Sequence, residues 1–444
     1  RLDAQVLLLH ALGRTPHDRA WLLAHSDDTL DATVQATFAA HVQRRLNTEP
    51  VAYITGQKEF FGLTLHVDPR VLDAMLPYYR AAFGNPSSPH AVGRAARRGV
   101  ERARDQVAAA VGASPESVTF TPSATSANNL AIWGAVEAAR DRRDARRALV
   151  VSAVEHKSVL GPAHAAAERY GLELRVVPVD PWGRVDLTRL ARLARGALLV
   201  SVQLANNEIG TIQNVPMVVA IAHAAGALVH CDATQGIGKT PFSMATSEVD
   251  LVTFGGHKLY GPKGAAALLA RPGILLVPRC QGGPQEAGSW PGTENVPAIV
   301  GFGEAVELAV AESAAESVRL ADLRARFLAR LATHVAVGVV GPFVQDPATR
   351  EVRWPDRLAG NLSLLLPVPG RAVVLALADR VCLSTGSACG VGAEHSTDVL
   401  RALHFSEDQG DHVLRVGIGR FNTADEIDAA ADEVGRTILA TPRG

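Results

Sequence analysis

Lys258 stands in Phe254-Gly255-Gly256-His257-Lys258-Leu259-Tyr260-Gly261-Pro262, directly after an apolar run. The glycines clear backbone bulk from a tight turn and leave an amine accessible, which makes Lys258 a candidate Schiff-base residue. Asp232 closes a second apolar run, Leu228-Val229-His230-Cys231. Its carboxylate is therefore predicted to be buried, and a buried carboxylate needs a cationic partner to stay charged. His156 follows a third run in Val154-Glu155-His156-Lys157-Ser158, and Asn206-Asn207-Glu208-Ile209-Gly210-Thr211 follows a fourth. Small residues and hydroxyls in Phe120-Thr121-Pro122-Ser123-Ala124-Thr125-Ser126-Ala127-Asn128-Asn129 open a helix after a strand, where free amides and the helix dipole suit a phosphate. An amine, an acid for a ring nitrogen, a phosphate cradle and a histidine able to stack are the inventory pyridoxal phosphate requires. Cys389 adds a nucleophile: it lies in Ser384-Thr385-Gly386-Ser387-Ala388-Cys389-Gly390, with no apolar neighbours to bury it. Cys231 and Cys382 sit in apolar runs and read as buried core residues, while Cys280 is left open.

These groups need a scaffold that brings strand ends together. Apolar strands are predicted at Ser117 to Phe120, Ala148 to Ser152, Glu173 to Pro178, Ala197 to Val202, Leu228 to Cys231, Leu251 to Phe254 and Ala266 to Leu269, with Ala- and Leu-rich helices between most of them. Strands buried on both faces and joined by crossover helices imply an α/β domain with a mainly parallel sheet, whose sites gather at strand carboxyl ends. Helices are predicted over Asp73 to Phe83, Ala91 to Val111 and Phe302 to Ala332. A looser α/β lobe follows, with strands near Leu362 to Leu366 and Val413 to Gly417 and a closing helix over Ala424 to Thr437. Ahead of all this, Leu2 to Leu46 has helical spacing, and two short strand-like runs flank a polar turn between residues 49 and 67. Three modules result: 1–67, 68–330 and 331–444.

The 444 residues suffice for two or three domains, and a net charge of −1 advertises no polyanion-binding surface, so no direct nucleic-acid role is expected. Arg94, Arg97, Arg98, Arg102 and Arg104 read as one solvated helix face. Four scattered cysteines make neither a disulfide framework nor a zinc site, and no apolar run reaches membrane-span length. A cytoplasmic protein without a metal or membrane partner is expected.

Two resemblances follow from longer motifs. Residues 1 to about 71, through Glu49-Pro50-Val51-Ala52-Tyr53-Ile54-Thr55-Gly56-Gln57-Lys58-Glu59-Phe60-Phe61-Gly62, resemble the N-terminal, substrate-recognising domain of release-factor glutamine methyltransferases. That implies a possible release-factor partner for residues 1–67. No Asn-Pro-Pro-Tyr motif follows, so methylation is not expected. Residues 68 to 440 resemble the cysteine desulfurases, in the class V branch of the fold-type I pyridoxal phosphate enzymes. The motifs are Asn85-Pro86-Ser87-Ser88-Pro89-His90, Asn206 to Gln213, His257-Lys258-Leu259-Tyr260-Gly261-Pro262-Lys263-Gly264, Gly292-Thr293-Glu294-Asn295-Val296-Pro297, Ser384 to Cys389 and Leu414-Arg415-Val416-Gly417-Ile418-Gly419-Arg420-Phe421.

This second resemblance implies roles. Lys258 would hold the cofactor and move the Cα proton; His156 would stack on its ring and assist proton transfer; Asp232 would keep the ring nitrogen protonated. Asn207 and Gln235 would bond the ring oxygen and its neighbours, and Ala124, Thr125, His257 and the Gly255-Gly256 backbone would line the phosphate. Thr293 would reach the phosphate of a partner subunit, so a homodimer is implied. Arg415, with Asn207, would bind the carboxylate of L-cysteine. Cys389 would take the sulfur as a persulfide and pass it to an acceptor, an iron–sulfur scaffold or a tRNA-thiolation protein. The alternatives are a catalytically impaired scaffold that binds a release factor, or another class V reaction such as that of a selenocysteine lyase. Three departures stand out: Gly62 to His66 replaces an Asp-(Asn/His)-Ala-Ala-Thr-Thr segment, Gly255 replaces a common serine, and Trp290-Pro291 replaces Arg-Ser.

Overall fold

The structure, a computed structural model, describes residues 2–14, 21–22, 25, 28–46, 54, 57–60, 63–346, 352–386 and 397–442. At the N-terminus helices α1 (Leu2–Ala11) and α2 (Ala32–Leu46) pack together, and strands β1 (Gln57–Phe60) and β2 (Leu63–His66) pair antiparallel.

Helix α3 (Pro69–Tyr79) follows, and its start is set by sequence: Asp68 accepts from Arg70 N at 3.1 Å, and Pro69 occupies the first turn, where its missing N–H costs nothing. Asp68 is 2% exposed and also receives Arg420 Nη1 at 2.7 Å, while its own N–H donates to Tyr260 O at 3.1 Å. Glu312 joins this network through Arg70 and Arg420. Helix α4 (Ala91–Ala110) turns Gly93, Ala96, Gly99, Val100, Ala103 and Val107 inward. Arg94, Arg97, Arg98 and Arg102 face solvent as expected. Arg104 does not: it is 14% exposed and pairs with the buried Glu286, which also accepts from Phe120 N at 2.7 Å. The spacing that puts four arginines outside carries the fifth toward the sheet.

The central sheet has seven strands in the order β3-β9-β8-β7-β6-β4-β5. They are β3 (Val118–Thr121), β4 (Ala148–Ser152), β5 (Glu173–Val177), β6 (Ala197–Ser201), β7 (Leu228–Asp232), β8 (Leu251–Gly255) and β9 (Ala266–Ala270). From β8 to β5 neighbours are parallel; β9 runs against both β8 and β3. Strand β3 therefore points the same way as β8, and the carboxyl ends of β3, β4, β6, β7 and β8 share one edge. Helices α5 (Ala124–Asp141), α6 (Lys157–Tyr170), α7 (Leu187–Leu193) and α8 (Val215–Ala224) cross between strands. Separate apolar clusters line the two faces of the sheet, one with Val150, Val200, Val229, Val252 and Phe254, the other with Leu149, Val151, Leu199 and Leu251. The alternation along each strand is the pleat.

Helix α9 (Val296–Ala332) begins six residues earlier than predicted because Asn295 caps it, accepting from Ala298 N at 3.3 Å. Its first half buries Phe302 between Phe120 and Phe254, with ring centroids 6.3 and 5.4 Å away. Burial of such a side chain stabilises by about 1.5–3 kcal/mol. Its last turns, with Leu323, Phe327 and Leu331, enter a different core, that of the C-terminal lobe. There β13 (Asn361–Leu365) pairs antiparallel with β10 (Gly338–Val339) and β14 (Val413–Gly417), and β11 (Val344–Gln345) pairs with β12 (Val352–Arg353). Helices α10 (Gly370–Leu377) and α11 (Ala424–Ala440) cover this sheet. Cys382 corrects an expectation: it is exposed. Val381 and Leu383 pack on the lobe's core, and the residue between them in an extended segment must face the other way. Among the described residues no helix is long and apolar enough to cross a membrane.

Candidate functional site

The shared edge of the sheet opens into one cavity of about 720 Å³. Its walls include Ala124 and Thr125 after β3, His156 after β4, Gln203 and Asn207 after β6, Asp232 and Gln235 at β7, His257 and Lys258 after β8, and Arg415 on β14 of the C-terminal lobe. Every polar strand end singled out from the sequence thus reaches the same space. Gly255 and Gly256 are buried in the turn that carries Lys258 rather than lining the cavity. Thr293 is exposed and outside it. Cys389 lies outside the described residues.

The lysine turn is held from three sides. Gly256 approaches α9 so closely that a Cβ there would meet Phe302 Cδ2 at 3.0 Å. Tyr260 adopts φ 62°, a backbone state that costs a non-glycine residue about 1 kcal/mol or more. Its hydroxyl accepts from Arg420 N at 2.7 Å and its carbonyl from Asp68 N, contacts that hold it there.

Asp232 is 6% exposed, and its oxygens accept from Asn128 Nδ2 at 2.8 Å and Thr234 N at 3.0 Å, both neutral donors. Buried carboxylates are costly without a cation. Thr234 also lines the cavity, and its buried hydroxyl has no hydrogen-bond partner. His156 caps α6, its Nδ1 accepting from Ser158 N at 3.1 Å. Burial holds its pKa below the ordinary histidine value, with Asp232 opposing and Lys258 and Lys157 reinforcing the shift. His257 is driven down to about 4, first by burial and then by Lys258. Arg415 is lowered by burial against the opposing pull of Glu208, and its Nη1 donates to Asn207 O at 3.2 Å.

The stem of the cysteine loop is described up to Gly386. Ser384 pairs with Arg415 through both backbone groups, Arg415 N to Ser384 O at 2.6 Å and Ser384 N to Arg415 O at 3.3 Å. The chain leading to Cys389 therefore departs from beside Arg415.

Four residues escaped the sequence reading. Lys239 lines the cavity, donates to Gln235 Oε1 at 3.1 Å, and is lowered to about 8 by burial and then by Lys258. The signal was Gly236-Ile237-Gly238-Lys239: Gly238 has φ +68°, and a Cβ there would lie 2.6 Å from Ala309 Cβ on α9. Gln203 lines the cavity and Asn128 lies beneath it. Glu155 is buried and pushed up to about 8, chiefly by burial, with Oε2 unpaired. Glu155 and Asn128 stand inside stretches read from the sequence, beside His156 and in the turn after β3, but no local signal gives them a role, and Gln203 has none either. Among the described residues no group of acidic, histidine or cysteine side chains forms a metal site.

A mixed seven-stranded α/β sheet with a lysine, a buried acid met by neutral donors, a helix-capping histidine and an arginine on one cavity defines a fold-type I pyridoxal phosphate enzyme, and the residues present fit that cofactor. The aminotransferase class-V model matches residues 64–430, and the PrmC N-terminal domain model matches residues 1–56. A cysteine desulfurase IscS of Anaeromyxobacter sp. (strain Fw109-5) is 42% identical over 373 residues, 83% of this chain and 89% of that protein. The cysteine desulfurase of Mus musculus is 38% identical over 374 residues, 83% and 78% of the two chains. Among solved structures, a NifS-like protein superposes with a TM-score of 0.76 at 32% identity, covering 86% of this chain and 98% of its own. DndA from Streptomyces lividans gives 0.66 at 35%, covering 79% and 96%. The chain belongs to the class-V aminotransferase family and, within it, to the pyridoxal phosphate-dependent cysteine desulfurases.

Gly255, which stands where the resemblance to the cysteine desulfurases implies a common serine, ends β8 just before the lysine turn. Its backbone is extended (φ −135°, ψ 149°), and an added Cβ would lie 3.3 Å from His257 Nδ1 and 3.4 Å from Ala266 Cβ. A serine fits with a small adjustment. Gly255→Ser is expected to tighten pyridoxal phosphate by about 1–2 kcal/mol, roughly 5- to 30-fold, through one charge-assisted hydrogen bond. Equilibrium dialysis showing unchanged or weaker retention would refute this.

Proposed function

We propose that the chain removes sulfur from L-cysteine, releases L-alanine and holds the sulfur as a persulfide on Cys389 for an acceptor. When bound, pyridoxal phosphate supplies an electron sink that makes the substrate's Cα–H acidic and its Cβ–S bond breakable. Arg415 takes the substrate carboxylate; a buried guanidinium suits this two-pronged contact. Asn207 steadies Arg415 from its carbonyl and faces the same space. Asp232 supplies a fixed negative charge at the cavity floor, and Asn128 and Thr234 N leave it an unmet need for a cation. Lys258 would hold the cofactor and carry the Cα proton, while Ala124, Thr125 and His257 would receive the phosphate. Gln235 would meet the cofactor ring's polar edge, and its Oε1 accepts from Lys239 Nζ. The Cys389 thiolate attacks the substrate Sγ, and the Cβ–Sγ bond breaks as the S–S bond forms.

The observation that carries this reading is the meeting of Lys258, Asp232, His156 and Arg415 on one cavity, with the stem of the cysteine loop paired to Arg415. Incubating the purified chain with L-cysteine and pyridoxal phosphate is expected to yield alanine and, with a reductant, sulfide. No alanine above the protein-free control would overturn the reading.

The acceptor is read as an iron–sulfur scaffold or a tRNA-thiolation protein. Thr293, exposed and outside its own chain's cavity, favours a homodimer in which it serves the other subunit. The match of residues 1–56 favours a release factor as a ligand of residues 1–67. The free thiols Cys231, Cys280 and Cys382 favour the cytoplasm. Sedimentation at monomer mass, failure of the full chain to retain a release factor, and recovery outside the cytoplasmic fraction are the results that would reject these three readings in turn.

A further inference from the structure

Hydrogen-bond directions around His156 are fixed by groups that have only one role. Ser158 N meets His156 Nδ1 at 3.1 Å, and a backbone amide only donates, so Nδ1 accepts. A neutral ring then carries its proton on Nε2. Ser158 Oγ lies 2.8 Å from Asn128 Nδ2, which also only donates, and 2.7 Å from His156 Nδ1. The hydroxyl's own proton is thereby directed at Nδ1 as a second donor. Asn128 is 0% exposed, and its other Nδ2 hydrogen goes to Asp232 Oδ2 at 2.8 Å. Flipping that amide would set its oxygen against the carboxylate, so its orientation is determined too.

The same logic runs on beneath the sheet. Asn128 Oδ1 accepts from Thr253 Oγ1, whose oxygen lies 3.0 Å from His230 Nε2. Having given its proton to Asn128, Thr253 accepts from His230 Nε2, and Ser201 Oγ then donates to His230 Nδ1 at 2.8 Å. One directed chain leads from Ser201 to Asn128, where it divides between Asp232 and Ser158.

We propose that Asn128 and Ser158 are positioning residues: they hold His156 as a neutral ring with its proton on Nε2, and they tie that ring to the Asp232 carboxylate. This rests on the reading of His156 as a group that stacks on the cofactor ring and assists proton transfer. The first act available to His156 is then donation from Nε2, because accepting a proton at Nδ1 would turn that atom against two donors. The charged groups around the ring are Asp232 from β7, Lys258 from the turn after β8, and Lys157 on its own helix.

The test uses the full chain loaded with pyridoxal phosphate and labelled with ¹⁵N-histidine, the His156 signals being assigned by their absence in His156→Asn. Between about pH 6 and 8, near the ordinary histidine range, Nδ1 is expected to stay unprotonated and Nε2 protonated. Ser158→Ala removes one donor from Nδ1 and should raise the His156 pKa by about one unit. The low-pH limb of kcat should move up by the same amount, because the neutral ring is then lost at a higher pH, with KM for L-cysteine little changed. Ser158→Thr restores the hydroxyl and should restore both. A protonated Nδ1 in the unaltered chain, or a His156 titration indifferent to Ser158→Ala, overturns the proposal. Absence of alanine formation alongside the expected tautomer would instead refute the assigned reaction and leave the positioning roles standing.

Discussion

Cys389→Ala is expected to stop sulfide release from L-cysteine by about three orders of magnitude or more, as loss of a covalent nucleophile does. The absorbance of the cofactor bound at Lys258 should be unaltered. The other cysteines offer no substitute. Cys231 is fully buried in the core beside Asp232, and its thiol is pushed well above the ordinary range by burial and then by Asp232. Cys280 and Cys382 are exposed and outside the described walls of the cavity. The result also separates reactions: selenocysteine lysis and amino transfer need no such thiol, so a variant that still forms alanine at the original rate would favour a lyase, and one that forms a 2-oxo acid in its place would favour amino transfer. Alanine and sulfide measured together decide the matter.

Lys258→Ala is expected to lower alanine formation by about 10³-fold, within the range seen when a positioned proton-transfer group is lost, and to abolish covalent retention of pyridoxal phosphate. Lys239 lines the same cavity and is the one candidate for rescue among the described side chains there that also carry a buried amine. Burial and the charge of Lys258 hold it near 8. Removing Lys258 removes the repulsive part of that shift, so Lys239 moves upward and is more fully protonated at neutral pH, which weakens it as a nucleophile. Absorbance and alanine yield are the readouts. A variant that keeps a covalently bound cofactor after borohydride reduction would show that another amine of the cavity substitutes, and that Lys258 is not the attachment point.

The sequence made the strand ends legible because fully buried parallel strands are short apolar runs that stop at a polar residue. Several ends were missed by one position for the same reason: Thr121, Asp232 and Gly255 belong to their strands, yet hydropathy treats them as the start of a loop. The two-residue strands β10 to β12 carry no periodicity to read. Asn295 with Pro297 marks the start of α9, a capping signal outweighed by the later apolar run. Within the site, Lys258, Asp232, His156 and Arg415 announced themselves by motif. Lys239 carried only its flanking glycines as a signal, and the reason for Gly238, its close approach to Ala309, is a partner 71 positions away in the chain. Asn128 was hidden by its surroundings: only the fold shows that one amide bridges two strands and a helix cap.

The Asp68 network has a bearing on engineering. The carboxylate that caps α3 also pairs with Arg420, 352 positions further along the chain, and the Asp68 N–H donates to Tyr260 O in the lysine turn. One residue at the amino end of α3 thus fastens the lysine turn to the segment after β14. A substitution at position 68 is therefore a way to reach the amine from a residue that does not itself line the cavity.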